Sequence, residues 1–278
     1  MTRDIVAAVV LSWNDADRVV ALLGCLSTLD PPPELIVVID NGSSDGSAVR
    51  ITHAFPAHAM IAMPANLGFA AGVNRGIRWA LEHDSTWVWL LNSDIDLPAN
   101  ALARLGAAAR RDDRCGMAGA LLVEADGSVQ ARGGGRINLW TGDSRHVRSG
   151  GERCDYLSGA CLLLRSAMLR DIGLLDERYF FYWEDVDLAF RARDAGWSMA
   201  IADDCRVVHL EAQSLGPWSE QRWYHLFRGM RRFLRARAPL PRTAATIRLL
   251  CHSATMLRHG RLQALRGAWR AFGAELPL

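Results

Sequence analysis

Over its first hundred residues the chain alternates short apolar runs with helix-like segments. Residues 5–13 (IVAAVVLSW), 35–40 (LIVVID), 58–64 (HAMIAMP) and 86–94 (TWVWLLNSD) read as strands. The stretches around Asp17–Leu26, Ser47–Ala54 and Gly68–Glu82 read as helices between them. Such alternation predicts βαβ units and a mostly parallel sheet. Ligands bind parallel sheets at the carboxyl ends of their strands. Here polar clusters follow Trp13, Ile39 and Leu91, the strand ends of this reading.

From Gly116 the pattern changes. MAGALLVEADGSVQARGGG and CDYLSGACLLLR read as strands joined by glycine-rich turns, with helices near Ser166–Ile172 and Glu184–Ala195. This half is expected to be a mixed, partly antiparallel extension of the same sheet. After Ser214 the chain turns helical, basic and aromatic. The expected organisation is a catalytic α/β domain over residues 1–216 and a helical extension over 217–278.

Half of the 278 residues are hydrophobic and 22% are charged, which suits a globular protein with a real core. No apolar run approaches the roughly 18–20 residues needed to cross a bilayer, and the N-terminus lacks the pattern of a signal peptide. The six cysteines are scattered and form no CxxC pair, so a reduced, cytoplasmic setting is expected. All 32 basic residues are arginines. Mechanisms that need a lysine, such as Schiff bases or a P-loop, are thereby excluded. From Pro217 to Leu278 twelve arginines face only Glu220 and Glu275, a local charge of +10, whereas residues 1–216 carry −8. The chain is an acidic body with a strongly basic tail.

Five polar clusters could carry chemistry. Asp40-Asn41-Gly42-Ser43-Ser44-Asp45-Gly46 is equally a turn or a carboxylate placed to meet a base or ribose. In Asn66–Gly76 small residues near a helix start would let a backbone approach a ligand, and Arg75 could meet a phosphate, although tight helix–sheet packing explains the glycines as well. Asn92-Ser93-Asp94-Ile95-Asp96 puts two carboxylates at the mouth of an apolar strand. That placement is costly unless they are solvated or bind Mg²⁺ or Mn²⁺ against a diphosphate. In Phe180-Phe181-Tyr182-Trp183-Glu184-Asp185-Val186-Asp187 three acids follow four aromatics; helix capping explains one or two, and a sugar site with a general base is the alternative. His209, after Val207-Val208, matters only if folding brings it near Asp94.

Taken together and in order, VVLSWND, VIDNGSSDGS, NLGFAAGVNRGI, LLNSDIDL, YLSGACLLLR, GLLDERYFFYWEDVDLAFRARDAGW and VVHLEAQS resemble family-2 glycosyltransferases, and within them the bacterial rhamnosyltransferase-like branch. The resemblance covers about residues 5–216. It implies a GT-A (Rossmann-like) fold and an inverting, metal-dependent transfer from a nucleotide-sugar donor, such as a dTDP- or UDP-sugar, to a hydroxyl. By the same resemblance Asp40 contacts the donor nucleoside, and Asn66 and Arg75 lie along the nucleotide pocket. Asp94 matches the last acid of the DxD-type motif and would hold Mg²⁺ or Mn²⁺, with Asn92 at the motif's first position. Asp94-Ile95-Asp96 is a second register, which would make Asp96 the ligand. His209 would add a metal ligand. Asp185 matches the general base, with Glu184 beside it, while Gly159, Ala160 and Trp183 would border the acceptor.

Other nucleotide-using α/β enzymes fit less well, because the GxGxxG of a dehydrogenase and the lysine-bearing loop of a nucleotidyltransferase are both missing. A non-catalytic glycan- or partner-binding domain of the same fold is the remaining alternative. The expected acceptor is a glycan or a polyprenyl-linked sugar for bacterial surface polysaccharide. Arginines interleaved with aromatics suit an anionic membrane at the inner face of the plasma membrane, or else a packing or dimer contact. Nucleic acid is not expected as a partner, given the acidic body.

Overall fold

The first strand, β1 (Val6–Ser12), is apolar at every position but its last, and a strand without a polar face must be covered on both sides. In the computed structural model, which describes residues 4–210 and 216–276, β1 lies between β2 (Leu35–Asp40) and β4 (Trp87–Leu91) and runs parallel to both. β3 (Ala59–Ala62) extends this parallel block beyond β2. The helices α1 (Ala16–Ser27), α2 (Ser47–Ala54) and α3 (Phe69–Glu82) are the connections. Val9, Ile39 and Ile77 join one core layer, and Val10, Leu22 and Leu23 join the other. The second layer also holds α4 (Ala101–Ala109), which the strand–helix pattern did not reveal. Its buried face is mostly alanine, with Leu102 and Leu105 as the only large apolar residues.

The expected mixed extension is present. β11 (Cys161–Arg165) runs antiparallel between β4 and β6 (Cys115–Val123), and β12 (Ser198–His209) returns parallel to β6. The full order is β3-β2-β1-β4-β11-β6-β12-β5, with β5 (Ile95–Asp96) at the edge and β7 (Val129–Arg132) paired to β6. A separate three-stranded sheet, ordered β10-β8-β9, is built from β8 (Gly134–Asn138), β9 (Asp143–His146) and β10 (Tyr156–Leu157). Two helices follow β11: α5 (Ser166–Ile172) and α6 (Glu184–Asp194).

The basic segment forms α7 (Glu220–Arg237), α8 (Pro241–Arg258) and α9 (Leu262–Gly273). On α7 the apolar residues Trp223, Phe227, Met230, Phe233 and Leu234 recur at helical spacing and are buried. Phe233 wedges between Trp183 and Phe190, with ring centroids 5.3 and 4.8 Å away. Arg237 pairs with Asp194 of α6. The α7 side chains thus join the same core layer as α3 and α6. α9 approaches α7 so closely that a Cβ on Gly267 would fall 2.1 Å from the Glu220 carbonyl oxygen. The EAQS end of the last motif, including Ser214, lies outside the described residues. Among those described, no helix is long and apolar enough to cross a membrane. All six cysteines are unpaired.

Candidate active site

Parallel pairing sets Ser12 beside Asp40 and Val10 beside Leu91, so the polar segments after β1, β2 and β4 open on one edge of the sheet. Asp40 is buried there; one carboxylate oxygen accepts the Ser43 N–H at 3.1 Å, and the other has no hydrogen-bond partner. A buried oxygen left unpaired is poised for a donor brought by a ligand. Asn41 donates to Asn66 Oδ1 and to the Gly68 carbonyl, both at 3.1 Å, and accepts the Leu67 N–H. These bonds pin the 66–68 loop. Gly68 has φ +91°, and a Cβ there would meet the Phe180 carbonyl oxygen at 2.4 Å, so only glycine fits.

Over this loop lies a cavity of about 350 Å³ lined by Trp13, Asp15, Asn41, Asn66, Asn92 and Asp94 among others. α7 closes it with Gln221 and with His225, which stacks on Phe180 at 4.5 Å. A second cavity of about 370 Å³ shares Phe69, Asn92, Asp94 and Phe181 with the first. It continues past Gly159, Ala160, Trp183, Glu184, Asp185 and His209. Two chambers therefore meet at the Asn92–Asp94 corner.

That corner is held from several sides. The Asn92 N–H donates to the Ala160 carbonyl at 3.0 Å. The Asp94 carboxylate lies 3.6 Å from His209 Nε2. His209 Nδ1 is 2.8 Å from Gln130 Oε1, and Gln130 Nε2 donates to Glu124 Oε1 at 3.1 Å. An ionised carboxylate only accepts, so Gln130 turns its amide nitrogen to Glu124 and its oxygen to His209. His209 then donates from Nδ1 and directs Nε2 toward Asp94. A carboxylate oxygen and an imidazole nitrogen facing each other fit Mg²⁺ or Mn²⁺ by donor type. Among the described residues no cluster of three or more acidic, histidine or cysteine side chains could hold a metal by itself. A cation here would take its remaining ligands from a diphosphate and water.

The two registers of the acidic motif are separated in space. Asp94 faces both cavities, whereas Asp96 is exposed on the edge strand β5 and lines neither. Arg75 also lines neither cavity; it sits on the exposed side of α3, where its charge acts on Glu177. Asp40 is buried and lines neither cavity, although its neighbour Asn41 lines the first.

The start of α6 carries the acids. Tyr182 and Trp183 both have positive φ, +69° and +76°, a conformation that costs non-glycine residues about 1–3 kcal/mol each. The turn buries Trp183 beneath α7 and opens the helix with Glu184 and Asp185. Asp185 accepts the N–H groups of Gly159 at 3.1 Å and Val186 at 2.8 Å. Burial raises its pKa, and those N–H groups pull the other way. Glu184 is buried with one carboxyl oxygen unpartnered; burial first, and the neighbouring Asp185 charge second, push its pKa well above the ordinary value. Asp185 is thus the member of the pair that ionises first. Asp187 is committed elsewhere, to Arg191 at 2.7 Å.

The alternation of apolar runs gave no sign of Asp15, whose carboxylate accepts the Ser93 hydroxyl at 2.7 Å, or of Gln130, a lone glutamine in a short strand. The stripe on α7 could not have placed Gln221 and His225, which lie on the face of that helix opposite its buried residues and reach the cavity from there.

The model of the glycosyltransferase-like family 2 matches residues 3–232. The chain belongs to glycosyltransferase family 2. This glycosyltransferase is 32% identical over 240 residues to the N-acetylglucosaminyl-diphospho-decaprenol L-rhamnosyltransferase of Mycobacterium tuberculosis, covering 77% of this chain and 78% of that one. A low-salt glycan biosynthesis hexosyltransferase of Haloferax volcanii is 24% identical over 182 residues, 62% of this chain and 56% of its own. Among solved structures, GalNAc-T7 with UDP, GalNAc and Mn²⁺ superposes with a TM-score of 0.65 at 14% identity, over 84% of this chain and 48% of that one. The mannosyltransferase of Pyrobaculum calidifontis with GDP-Man and Mn²⁺ gives 0.58 at 19% identity, over 99% and 78%. At these identities the likeness is one of fold, and the fold is GT-A.

Proposed function

We propose that the enzyme transfers a hexose, with L-rhamnose the first candidate, from a dTDP- or UDP-linked donor to a hydroxyl of a polyprenyl-diphosphate-linked sugar, inverting the anomeric centre. One observation carries this reading: two cavities meet at Asn92–Asp94, and Asp185 lies in the second alone. A donor in the first, with its anomeric carbon at the junction, presents that carbon to a hydroxyl held in the second. Asp185 takes the hydroxyl proton as the new C–O bond forms and the bond to the diphosphate breaks on the opposite side. Asp94 and His209 would hold Mg²⁺ or Mn²⁺. When bound, the cation neutralises charge growing on the leaving diphosphate.

The enzyme would work at the inner face of the membrane. The solvent side of α8 supports this: Thr243, Thr246, Ile247, Leu250, Ala254 and Leu257 are all exposed. Between Arg242 and Arg258 that helix carries one charge, Arg248, which lines the second cavity instead.

The test is product analysis with dTDP-L-rhamnose, UDP-GlcNAc and GDP-mannose, with Mn²⁺ or with EDTA, using a short-chain prenyl-diphospho-GlcNAc acceptor. Transfer from one donor, abolished by EDTA and giving the inverted anomer by NMR, is expected. A retained anomer rejects single displacement; donor binding without transfer or nucleotide release rejects the enzyme reading in favour of a glycan-binding protein.

A further inference from the structure

The second cavity is electrically divided. Its acids, Asp94, Glu184 and Asp185, come from the sheet edge and α6, whereas its two guanidinium groups, Arg222 and Arg248, come from α7 and α8. A neutral sugar alone gives no reason for two arginines in the wall of an acceptor cleft. An anion attached to that sugar does.

The two side chains are held in different ways. Arg248 pairs with Asp143 of β9 at 2.6 Å, which fixes it in the wall and uses only part of its five-donor fork. Arg222 is half-buried above the Tyr182 ring, 5.6 Å from its centroid, with no ion pair among the described residues. His252 stands beside Arg248; burial, and then the Arg248 charge, push its pKa down to about 4, so it is a neutral hydrogen-bonding group near pH 7. Leu226, Phe227 and Met230 supply an apolar stretch on the same wall. The cleft therefore brings together the carboxylate of Asp185, the Trp183 ring, two cations and an apolar stretch.

We propose that Arg222 and Arg248 form a subsite for the diphosphate of the acceptor, the anionic linker between its sugar and its lipid. This rests on the lipid-linked acceptor argued above, and gives the basic C-terminal helices a part in substrate recognition. Guanidinium forks match phosphate oxygens by shape as well as charge. The donor diphosphate is accounted for elsewhere, at the Asp94–His209 corner. The apolar residues that line the same cavity, Leu226, Phe227 and Met230, suit the first isoprene units. α8 carries Arg248 on its cleft side and the uncharged face on its solvent side, so the linker would be gripped where the lipid leaves the membrane.

The experiment uses the full-length protein and two acceptors with the same sugar: citronellyl-diphospho-GlcNAc and uncharged citronellyl β-GlcNAc. Wild type is compared with Arg222→Gln, Arg248→Gln and Arg248→Lys for acceptor KM, donor KM, donor hydrolysis without acceptor, and melting temperature. Each glutamine variant should raise KM for the diphosphate acceptor about tenfold or more. KM for the uncharged acceptor, donor KM and hydrolysis should stay put. Arg248→Lys should recover part of the loss and keep the Asp143 pair. The subsite is refuted if wild type uses both acceptors equally, if the variants weaken both alike, or if donor KM rises instead. Wild type that transfers to neither acceptor while still hydrolysing donor would overturn the acceptor reading itself, and this inference with it.

Discussion

Glu184 and Asp185 are neighbours with the same functional group and different surroundings. Asp185 is tied to two backbone N–H groups, while Glu184, on the wall of the same cavity, has a buried oxygen with no hydrogen-bond partner. Replacing Asp185 by Asn keeps the shape and removes the proposed base, so turnover should fall about a hundredfold or more with donor KM little changed. The acid limb of the wild-type kcat profile should lie above the ordinary aspartate value of 3.8, because the folded pKa is raised. Glu184 has a separate signature in stability. Its folded pKa is raised, so its contribution is fully present below its ordinary value of 4.5 and is lost as pH climbs toward the folded value. The melting-temperature difference between Glu184→Gln and wild type should shift in the variant's favour from pH 4.5 to pH 8; a flat difference would mean that Glu184 is ionised in the fold. Gln130 is a positioning residue for His209. Gln130→Ala frees the ring to change tautomer and should weaken Mn²⁺ binding in the presence of saturating nucleoside diphosphate about 10–100-fold by calorimetry, with the melting temperature of the metal-free protein as the control. Unchanged affinity would remove Gln130 from the metal corner.

At the scale of elements, what could be read from the chain follows from how local each signal is. β1, β2 and β4 are unbroken apolar runs ended by polar residues, so both the strands and the ligand-facing edge were legible. β8 and β9 were not separable from turns, because Gly134 and Gly135 pack against Tyr156 and the Arg145 backbone, contacts distant in sequence, and β10 was read within the strand segment that also holds β11. The acids at the sheet edge were visible as motifs, but their sorting was not: Asp94 and Asp96 look alike in sequence and differ only in where β5 points them. In the C-terminal segment the +10 charge drew attention to the surface, although the stripe of Trp223, Phe227, Met230 and Phe233 is a plain mark of a buried helix face. Phe233 links α7 to α6 through Trp183 and Phe190, next to Glu184 and Asp185. Phe233→Ala should cost about 3–5 kcal/mol in denaturant unfolding. Because Trp183 loses its support, donor KM should change less than kcat. If stability is unaffected, α7 is not part of the folded core.

Seen whole, the molecule separates its charges along the path the substrates would take. The acidic part holds Asp94 and Asp185, the proposed reacting centre, and the basic helices close both cavities from the opposite side through Gln221, Arg222, His225, Arg248 and His252. The arrangement puts the uncharged face of α8 outermost. Leu250 and Leu257 are 55% and 58% exposed, and Leu240 and Leu262 flank them at 54% and 57%. Such a face wastes apolar area in water, whereas an interfacial helix uses it, with Arg242, Arg258 and Arg261 at its ends meeting anionic headgroups. The contributions can be separated by substitution. Leu250→Glu with Leu257→Glu should abolish co-sedimentation with vesicles of anionic lipid, as should high salt in part. Transfer to a full-length polyprenyl acceptor in those vesicles should fall by about tenfold or more, since each buried leucine is worth roughly 1.5–3 kcal/mol. Transfer to a short-chain acceptor in detergent-free buffer should not change, because neither residue lines a cavity. Equal loss with both acceptors would mean that the substitutions disturb α8 itself, and undiminished vesicle binding would place the membrane contact on another face.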